Sequence, residues 1–256
     1  MSAITVEGLS FSYEGGAQAV RAVDLGVSRG KATVLLGPNG SGKSTLLSLL
    51  LGYLEPGAGS ISILGKPLAS YRPRELGRLL AFLSSETYVP FNYSVTEYVL
   101  LGRSAHRPSW AAPTAADRDS VATALSRAGV ERLRNRNIQE LSSGELQLVS
   151  VARALAQEPE ILLMDEPTSH LDPANAVSVF RLIRALAGEG LTVLFTSHDP
   201  QHARQVADEA VLLESGRVVA AGQAAATLSA KRLSELYGVR FLEASLGERR
   251  IPFAEL

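Results

Sequence analysis

A glycine-rich stretch, GPNGSGKST, runs from Gly37 to Thr45 and fits the pattern G-x-x-x-x-G-K-[ST]. Glycines in this pattern let the backbone wrap around a phosphate so that consecutive N–H groups point at it, and the helix that follows adds its positive N-terminal end. Lys43 supplies a positive charge for the outer phosphates, and the Ser44 hydroxyl is a ligand for Mg²⁺. The stretch therefore predicts a binding site for a nucleoside phosphate.

The flanking segments favour this prediction over an ordinary glycine-rich surface turn. Lys31 to Leu36 is an apolar, strand-like run, and Ser44 to Gly52 has the composition of a helix. A phosphate loop requires this order, with a strand before it and a helix after it.

Two acidic residues follow another apolar run. Ile161 to Met164 is typical of a buried strand and leads into Asp165 and Glu166. A carboxylate at the tip of a core strand suits a second anchor for Mg²⁺, and its neighbour could polarise the water that attacks the γ-phosphate. Taken alone, such a pair is more often a solvated strand end. The phosphate loop reverses that preference.

A histidine follows a further core-type strand. Leu191 to Phe195 leads through a Thr-Ser pair to His198. A histidine at the end of a strand in the same sheet could contact the γ-phosphate as a donor or sensor, since its ring nitrogens serve both purposes. Standing alone, it would be an ordinary loop histidine.

Taken together, these motifs resemble those of the ATP-binding subunits of ABC transporters. GPNGSGKST resembles the Walker A loop and ILLMDE the Walker B strand. LSSGE, from Leu141 to Glu145, is similar to the family signature, usually LSGGQ, and SHLD, from Ser169 to Asp172, to the D-loop. His198 resembles the switch histidine, and Tyr13 falls where the family places an aromatic that stacks on adenine.

The resemblance implies an ATPase that uses ATP and Mg²⁺ and works as two identical chains packed head to tail. Each ATP would lie between the phosphate loop of one chain and the signature of the other. Glu166 would be the general base or water-orienting group, His198 the γ-phosphate sensor and Lys43 a charge stabiliser. The resemblance assigns the nucleotide to Tyr13, Gly37, Pro38, Asn39, Gly40, Ser41, Gly42, Lys43, Ser44, Thr45, Ser142, Gly144, Glu145 and Asp172, and the metal to Ser44 and Asp165.

Two places depart from the family pattern. Ser85 stands where a glutamine is expected and Glu86 follows it, so either residue could take the glutamine's place. In the signature, Ser143 replaces the first glycine and Glu145 the glutamine. These departures are expected to affect rate and coupling, and neither removes a catalytic group.

The amino-acid composition limits which other classes of protein are compatible with the sequence. With 256 residues and a formal net charge of −1, the chain can bury one substantial core and carries no field that would draw it to nucleic acid. The absence of cysteine excludes disulfides and thiolate chemistry. There is no basic-then-apolar leader pattern and no apolar run of bilayer-spanning length. We expect a peripheral protein at the cytoplasmic face of the cell membrane.

Strand-like and helix-like segments alternate as in an α/β domain with a largely parallel sheet. With the resemblance, they predict a P-loop NTPase (RecA-like) core with a flanking antiparallel β-subdomain and an inserted helical subdomain. The β-subdomain is expected from four alternating runs, Ile4 to Tyr13, Val20 to Ser28, Gly59 to Leu64 and Ala210 to Val219. This arrangement would bring Tyr13 beside the base.

The helical subdomain is expected from Val95 to Leu101, Ala115 to Ala128 and Glu145 to Ala156, the last capped by Ser142 or Ser143. The expected boundaries are about 1–84 and 158–222 for core and β-subdomain, about 85–157 for the helical subdomain and 223–256 for a C-terminal tail. Gly222 to Ala230 is expected to be helix.

The sequence indicates the transported substrate less strongly than it indicates the nucleotide chemistry. VPFNYSVTEYVLLGR, from Val89 to Arg103, and Tyr237-Gly238-Val239 resemble importers of metal chelates such as ferric siderophore, haem or cobalamin. The alternative is a purely structural role, in which the segment is a loop that leads into a helix and Gly102-Arg103 ends that helix. Other importers, such as molybdate or tungstate systems, exporters, a soluble ABC ATPase and a non-hydrolysing regulator stay open. The resemblance also implies transmembrane permease subunits, docking around Ser85 to Tyr98, and indirectly a substrate-binding protein.

Overall fold

The computed structural model describes residues 1–85, 89–108, 110–246 and 249–255. It divides into two compact units, residues 1–70 with 183–256 and residues 71–182. The strands are β1 (Ser2–Ser12), β2 (Gln18–Ser28), β3 (Ala32–Leu36), β4 (Ala58–Ile63), β5 (Lys66–Pro67), β6 (Leu80–Leu83), β7 (Ile161–Met164), β8 (Thr192–Ser197), β9 (Glu209–Glu214), β10 (Arg217–Gln223), β11 (Phe241–Leu246) and β12 (Arg249–Ala254).

The helices are α1 (Lys43–Leu50), α2 (Pro73–Leu79), α3 (Val95–Leu100), α4 (Ala115–Arg127), α5 (Ser143–Ala156), α6 (Pro173–Gly188), α7 (Pro200–Val206), α8 (Ala224–Thr227) and α9 (Ala230–Tyr237). None of the helices within the described ranges is both long and apolar enough to cross a membrane.

One sheet of the first unit is antiparallel, with strand order β2-β1-β4-β5. Ile4 pairs with Val27 on one side and with Ile63 on the other, and all three side chains are buried. β2 buries Val23, Leu25 and Val27 at alternate positions, because one face of the sheet covers the core. β1 departs from strict alternation where its register with β2 shifts. The predicted antiparallel β-subdomain is confirmed for three of its four strands.

The second set of strands in this unit is parallel. β3 is buried along its whole length and pairs in parallel with β8 and β9, so that Val34 lies opposite Phe195 and Ala210. Such strands are covered on both faces, which explains their continuous apolar sequences. Together with the antiparallel sheet, they give the predicted α/β class.

The prediction for Ala210 to Val219 was wrong. The segment is two strands joined at Ser215 and Gly216, which have φ values of 47° and 80°. β9 lies parallel to β3, and β10 returns antiparallel to β9, outside the β2-β1-β4-β5 sheet. The left-handed turn makes the hairpin, and its buried first half suits a parallel strand covered on both faces.

The predicted helix over Gly222 to Ala230 forms only in part. Gly222 extends β10 with a φ of 147°, and α8 covers four residues before Leu228 breaks the helical backbone. Leu228 is fully buried, so its packing ends α8 and a new helix starts after Ser229. The β11–β12 hairpin then completes the described chain.

The second unit pairs β6 and β7 in parallel and contains the helices α2 to α5. Three of these helices, α3, α4 and α5, begin within two residues of their predicted starts. Each starts with a reciprocal capping box, in which an N-cap hydroxyl and an acidic side chain three residues later satisfy each other's backbone N–H. The three boxes are Ser94 with Glu97, Thr114 with Asp117 and Ser142 with Glu145.

Arg103 ties these helices together from a buried position. Its Nε donates to Asp117 Oδ1 at 3.1 Å, and its Nη1 donates to the Ala156 carbonyl at 2.8 Å and pairs with Glu158 Oε2 at 3.1 Å. A Cβ on Gly102 would lie 2.1 Å from the Arg153 carbonyl oxygen. The Gly-Arg pair therefore joins α4 to the end of α5 and does more than end a helix.

Candidate nucleotide-binding site

The phosphate loop connects the buried strand β3 to α1, as predicted. A Cβ on Gly37 would lie 2.2 Å from the Leu213 carbonyl oxygen, and a Cβ on Gly42 would lie 2.5 Å from that of Ala19. Gly42 has a φ of 105°, and the N–H of Leu46 donates to its carbonyl at 2.8 Å. These positions exclude any side chain, so the glycines are required by the close approach of neighbouring backbone.

The polar groups of the loop suit a phosphate. The Lys43 side chain is buried, and its Nζ donates to the carbonyls of Gly37 at 2.8 Å and Pro38 at 3.2 Å. Ser41 Oγ is buried and has no hydrogen-bond partner among the described residues. A phosphate oxygen would satisfy such a donor. Asn39 and Gly40, at the tip of the loop, are exposed, Gly40 with a φ of 76°.

Tyr13 lies beside the start of α1. Its hydroxyl is 3.2 Å from Thr45 Oγ1, and its ring packs edge-to-face on Phe11 with centroids 4.9 Å apart. Tyr13 as a whole residue is 51% exposed. Adenine stacking on Tyr13 stays a prediction.

His198 comes to the same edge of the parallel strands as the phosphate loop. Leu36, the last residue of β3, pairs with Ser197, the last residue of β8. The residues that follow, Gly37 and His198, therefore leave neighbouring strands at the same end. His198 is exposed, and Asp199 next to it caps α7 by accepting from the N–H of Gln201 at 2.8 Å.

The acidic pair lies at the end of β7 in the second unit. The N–H of Asp165 donates to the Leu83 carbonyl at 2.8 Å and so continues the β6–β7 ladder by one residue. Glu166 has a φ of 43°, in the left-handed region. Its carbonyl accepts from both the N–H and the Oγ of Ser169, at 3.0 and 2.9 Å. This tight turn fixes the direction in which the carboxylate leaves the strand.

The helix α5 supports the same turn. Gln147 is buried, and its Nε2 donates to the Pro167 carbonyl at 2.7 Å. Gln147 was missed in the sequence. Its signal is a long polar side chain on the mostly apolar buried face of α5.

The signature forms the start of α5. Ser142 is the N-cap and Ser143 the first helical residue, so Ser142 alone takes the capping role that was left open between them. Ser142 Oγ accepts from the N–H of Glu145 at 3.2 Å, and Glu145 Oε2 accepts from the N–H of Ser142 at 3.2 Å. The box orders the first turn, whose free N–H groups favour an anion.

Glu145 is further paired with two arginines. Its Oε1 accepts from Arg132 at 3.0 Å, and its Oε2 lies 3.6 Å from Arg136 Nη1. The hydrogen bond from the Ser142 backbone and the nearby Arg132 guanidinium lower the pKa of Glu145. Both carboxylate oxygens are thus engaged within the second unit. The assignment of Glu145 to nucleotide stays a prediction, and its contacts here are those of a residue that shapes the signature.

Asp172 caps α6. Its Oδ1 accepts from the N–H of Asn175 at 2.9 Å and its Oδ2 from Asn175 Nδ2 at 2.6 Å. These bonds, first that from the Asn175 backbone, lower the pKa of Asp172. Asn175 was missed in the sequence. The signal was present as D-x-x-N at a helix start, a common side-chain-to-backbone capping arrangement.

Ser85 is half-buried at the end of the described segment 1–85. Glu86, the other candidate for the missing glutamine, lies outside the described residues, as do 87 and 88 of the expected permease-docking region. Ser109 also lies outside the described residues.

The two predicted metal ligands, Ser44 in the first unit and Asp165 in the second, each carry a type of oxygen donor that Mg²⁺ accepts. Among the described residues, no group of three or more His, Cys, Asp or Glu side chains could hold a metal by itself. Mg²⁺ keeps several waters and takes one or two protein oxygens plus phosphate oxygens. The Ser44 hydroxyl and the Asp165 carboxylate are oxygen donors of this kind.

A family model described as ABC transporter matches residues 20–169. The hemin import ATP-binding protein HmuV of Rhodopseudomonas palustris is 37% identical over 244 residues, covering 92% of this chain and 88% of the relative. The protein of that name from Escherichia coli O157:H7 is 35% identical, with 92% of both chains covered.

Two solved structures match most or all of the chain. A chain described as belonging to a metal-chelate type ABC transporter in an inward-facing conformation has a TM-score of 0.87 and 32% identity, with 100% of this chain and 97% of that chain covered. A dimeric ATP-binding cassette in a post-hydrolysis state, bound to ADP and Pi, has a TM-score of 0.74 and 27% identity, with 86% and 98% covered. The chain, with its P-loop NTPase fold, therefore belongs to the ABC transporter family, as an ATP-binding subunit that hydrolyses ATP to power transport.

Proposed function

We propose that the phosphate loop binds ATP with Mg²⁺ and that the acidic pair after β7 completes the hydrolytic machinery. Lys43 would hold the outer phosphates, and Ser44 and Asp165 would hold the metal. Mg²⁺ neutralises charge on the phosphate oxygens when it is bound. Glu166 would orient and deprotonate the attacking water, and His198 would donate to the γ-phosphate. The buried Ser41 hydroxyl and the Lys43 amine, held by loop carbonyls, support the phosphate assignment.

We further propose that two copies pack head to tail around two ATP molecules. The loop of one copy would face Ser142 and Gly144 of the other, where the first turn of α5 presents N–H groups suited to an anion. Because the γ-phosphate adds contacts that ADP lacks, ATP would favour the closed pair and hydrolysis would release it. The dimeric ADP- and Pi-bound cassette supports this arrangement by similarity.

For the cargo, we propose a metal chelate such as haem, ferric siderophore or cobalamin. The observation that carries this proposal is the near-full-length similarity to hemin import ATP-binding proteins, at 35–38% identity. The match of the entire chain to the metal-chelate type transporter supports it. The protein would act at the cytoplasmic face of the membrane, bound to permease subunits that receive the chelate from a substrate-binding protein.

Other cargoes remain competing proposals because the fold is shared. The ATPase cbiO1 of the cbiONQ transporter complex superimposes with a TM-score of 0.81, and an Atm1-family exporter with 0.76. An importer of molybdate or tungstate and an exporter would therefore have the same core.

The first experiment is to tag the chain in its native cell, extract the membranes with mild detergent and identify what co-purifies. A many-spanning permease in stoichiometric amount is expected. Recovery only from the soluble fraction, with ribosomal or DNA-associated proteins, would overturn the transport assignment.

The cargo is tested by deleting the gene and supplying haem, a ferric siderophore or cobalamin as the only source of iron or cofactor. The expected result is a growth defect on at least one chelate, repaired by the wild-type chain and not by Glu166→Gln. Normal uptake of all three, with a defect for molybdate or for export of a toxic compound, would replace the metal-chelate proposal.

A further inference from the structure

Gly144, in the signature, has no room for a side chain, although its backbone does not require glycine. Its φ lies outside the left-handed region, and it sits in the first turn of α5. A Cβ at this position would lie 2.1 Å from Asn175 Cγ and 2.3 and 2.5 Å from Asn175 Oδ1 and Nδ2. Real Cβ contacts are never this short, so the Asn175 amide occupies the space that a side chain on residue 144 would need.

Asn175 is itself held in place. Its backbone N–H and its Nδ2 both donate to the Asp172 carboxylate, at 2.9 and 2.6 Å. Because a carboxylate accepts only, these bonds fix which end of the amide is nitrogen. The half-buried amide therefore lies between the D-loop carboxylate and the signature backbone, within one unit of the chain.

We propose that Asn175 is a positioning residue that locks the signature to the D-loop, so that Gly144 and Asp172 face a second copy as one rigid surface. The proposal rests on the head-to-tail dimer proposed above. A rigid surface lowers the entropy lost on assembly, because two loops need not be ordered separately when ATP closes the pair. Asn175 touches neither ATP nor water in this role, and it acts through Gly144 and Asp172.

The competing explanation is that Asn175 only caps α6. A cap alone would change the thermal stability of the chain and leave nucleotide-driven assembly untouched. The two explanations therefore separate when stability, nucleotide binding by the single chain and assembly are measured on the same variants.

The first test uses a Glu166→Gln parent chain, in which hydrolysis is blocked. We would measure its dimerisation by light scattering across ATP concentrations, its binding of a fluorescent ATP analogue at high dilution, and its melting temperature. Asn175→Ala is expected to raise the ATP concentration for half-maximal dimerisation by about tenfold, with analogue binding unchanged within about twofold. Ser178→Ala, one turn along α6, is the matched control and should behave as the parent.

The outcomes are distinguishable. If the parent fails to dimerise with ATP, the head-to-tail dimer is wrong and the role of Asn175 in it is lost as well. If the parent dimerises and Asn175→Ala dimerises at the same ATP concentration, only the positioning role is wrong.

The second test is suppression. Gly144→Ala is expected to block ATP-driven dimerisation, because its Cβ collides with the Asn175 amide. Combining it with Asn175→Ala removes the colliding atoms and is expected to restore part of the dimerisation. A double variant no better than Gly144→Ala would show that nucleotide, and not Asn175, requires the glycine, and would overturn the proposal.

Discussion

Glu166 adopts a backbone conformation that a residue with a Cβ avoids. Its φ of 43° places it in the left-handed region, which costs a non-glycine residue about 1–3 kcal/mol. The double hydrogen bond from Ser169 to its carbonyl offsets part of this cost. Strain of this kind persists where the direction of a side chain matters more than the local stability. Ser215 has a similar φ of 47° in the turn between β9 and β10, so this conformation marks a tight turn, and the chemical role of the Glu166 carboxylate is tested by substitution.

Replacing Glu166 with Gln should retain ATP binding and lower the rate of phosphate release at least about 100-fold, the usual contribution of a general base. Gln keeps the size of the side chain and the turn, and it loses the ability to accept a proton. Phosphate release and nucleotide binding measured on one preparation give the answer, with the exposed Glu55→Gln as control. Unchanged steady-state ATPase activity would sink the catalytic assignment.

The charge of Glu145 is matched by Arg132 and Arg136. Exposed ion pairs of this kind add about 0–1 kcal/mol to stability, so their main effect here is to offset a negative charge beside the first turn of α5. Glu145→Gln should therefore keep ATPase activity within about threefold, because Gln also serves in a capping box.

The same reasoning predicts that Arg132→Ala lowers the ATPase rate of the wild-type chain, because the Glu145 carboxylate loses a positive partner. In the Glu145→Gln chain there is no carboxylate at this position, so Arg132→Ala should leave the ATPase rate nearly unchanged. Steady-state ATPase rates of the wild-type chain, the two single variants and the double variant form a double-mutant cycle. Equal effects of Arg132→Ala in both backgrounds would contradict charge compensation. Arg127→Ala, on α4, provides a control for loss of an exposed arginine.

At the scale of elements, Arg103 is the joint between α4 and the end of α5. Its removal would leave Asp117 buried without its cationic partner and the Ala156 carbonyl without its donor. Arg103→Ala should lower the free energy of unfolding by about 3 kcal/mol. Urea denaturation followed by circular dichroism measures this, with Arg118→Ala, exposed on α4, as control. A decrease in the free energy of unfolding below about 0.5 kcal/mol would contradict this role of Arg103.

The same cluster makes stability depend on pH. Hydrogen bonds from Thr114, first its backbone, and from Arg103 lower the pKa of Asp117 from 3.8 to about 2. A lowered carboxyl pKa stabilises the fold above the unfolded value of 3.8, and this contribution is lost as pH falls towards 2. Asp117→Asn should remove about 2 kcal/mol at neutral pH and flatten the acid limb of the stability curve. An acid limb of wild-type slope in Asp117→Asn would contradict this.

Elements were predictable where the sequence pattern is local. The apolar runs of β3, β7 and β8 and the capping boxes of α3, α4 and α5 each carry their own signal. The pairing partners of the strands were harder to predict, because the apolar–polar alternation in Ala210 to Val219 does not show which sheet a strand joins. The site followed the same rule: Gly37 to Thr45 were evident from their spacing, whereas Asn175 and Gln147 depend on contacts with distant segments. The boundaries of the helical subdomain and the residue roles stay predictions.

At the scale of the whole molecule, the motifs divide between the two units. The phosphate loop, Tyr13 and His198 belong to the first unit, whereas the acidic pair, the signature and Asp172 belong to the second. Similarity to ABC relatives covers both units, since it extends over about nine-tenths of the chain. The ATPase chemistry is therefore that of the family. The proposed partner proteins, and not this chain, would select the cargo.

The proposed head-to-tail pairing has a genetic consequence. In a head-to-tail pair, a copy with Lys43→Ala and a copy with Gly144→Asp would place both defects in one site and leave the other site wholly wild type. Two alleles that are each inactive alone should then complement. With random pairing, half of the dimers are mixed and half of their sites intact, so about a quarter of the ATPase activity should return. A mixture as inactive as either parent would contradict head-to-tail pairing with two independently active sites.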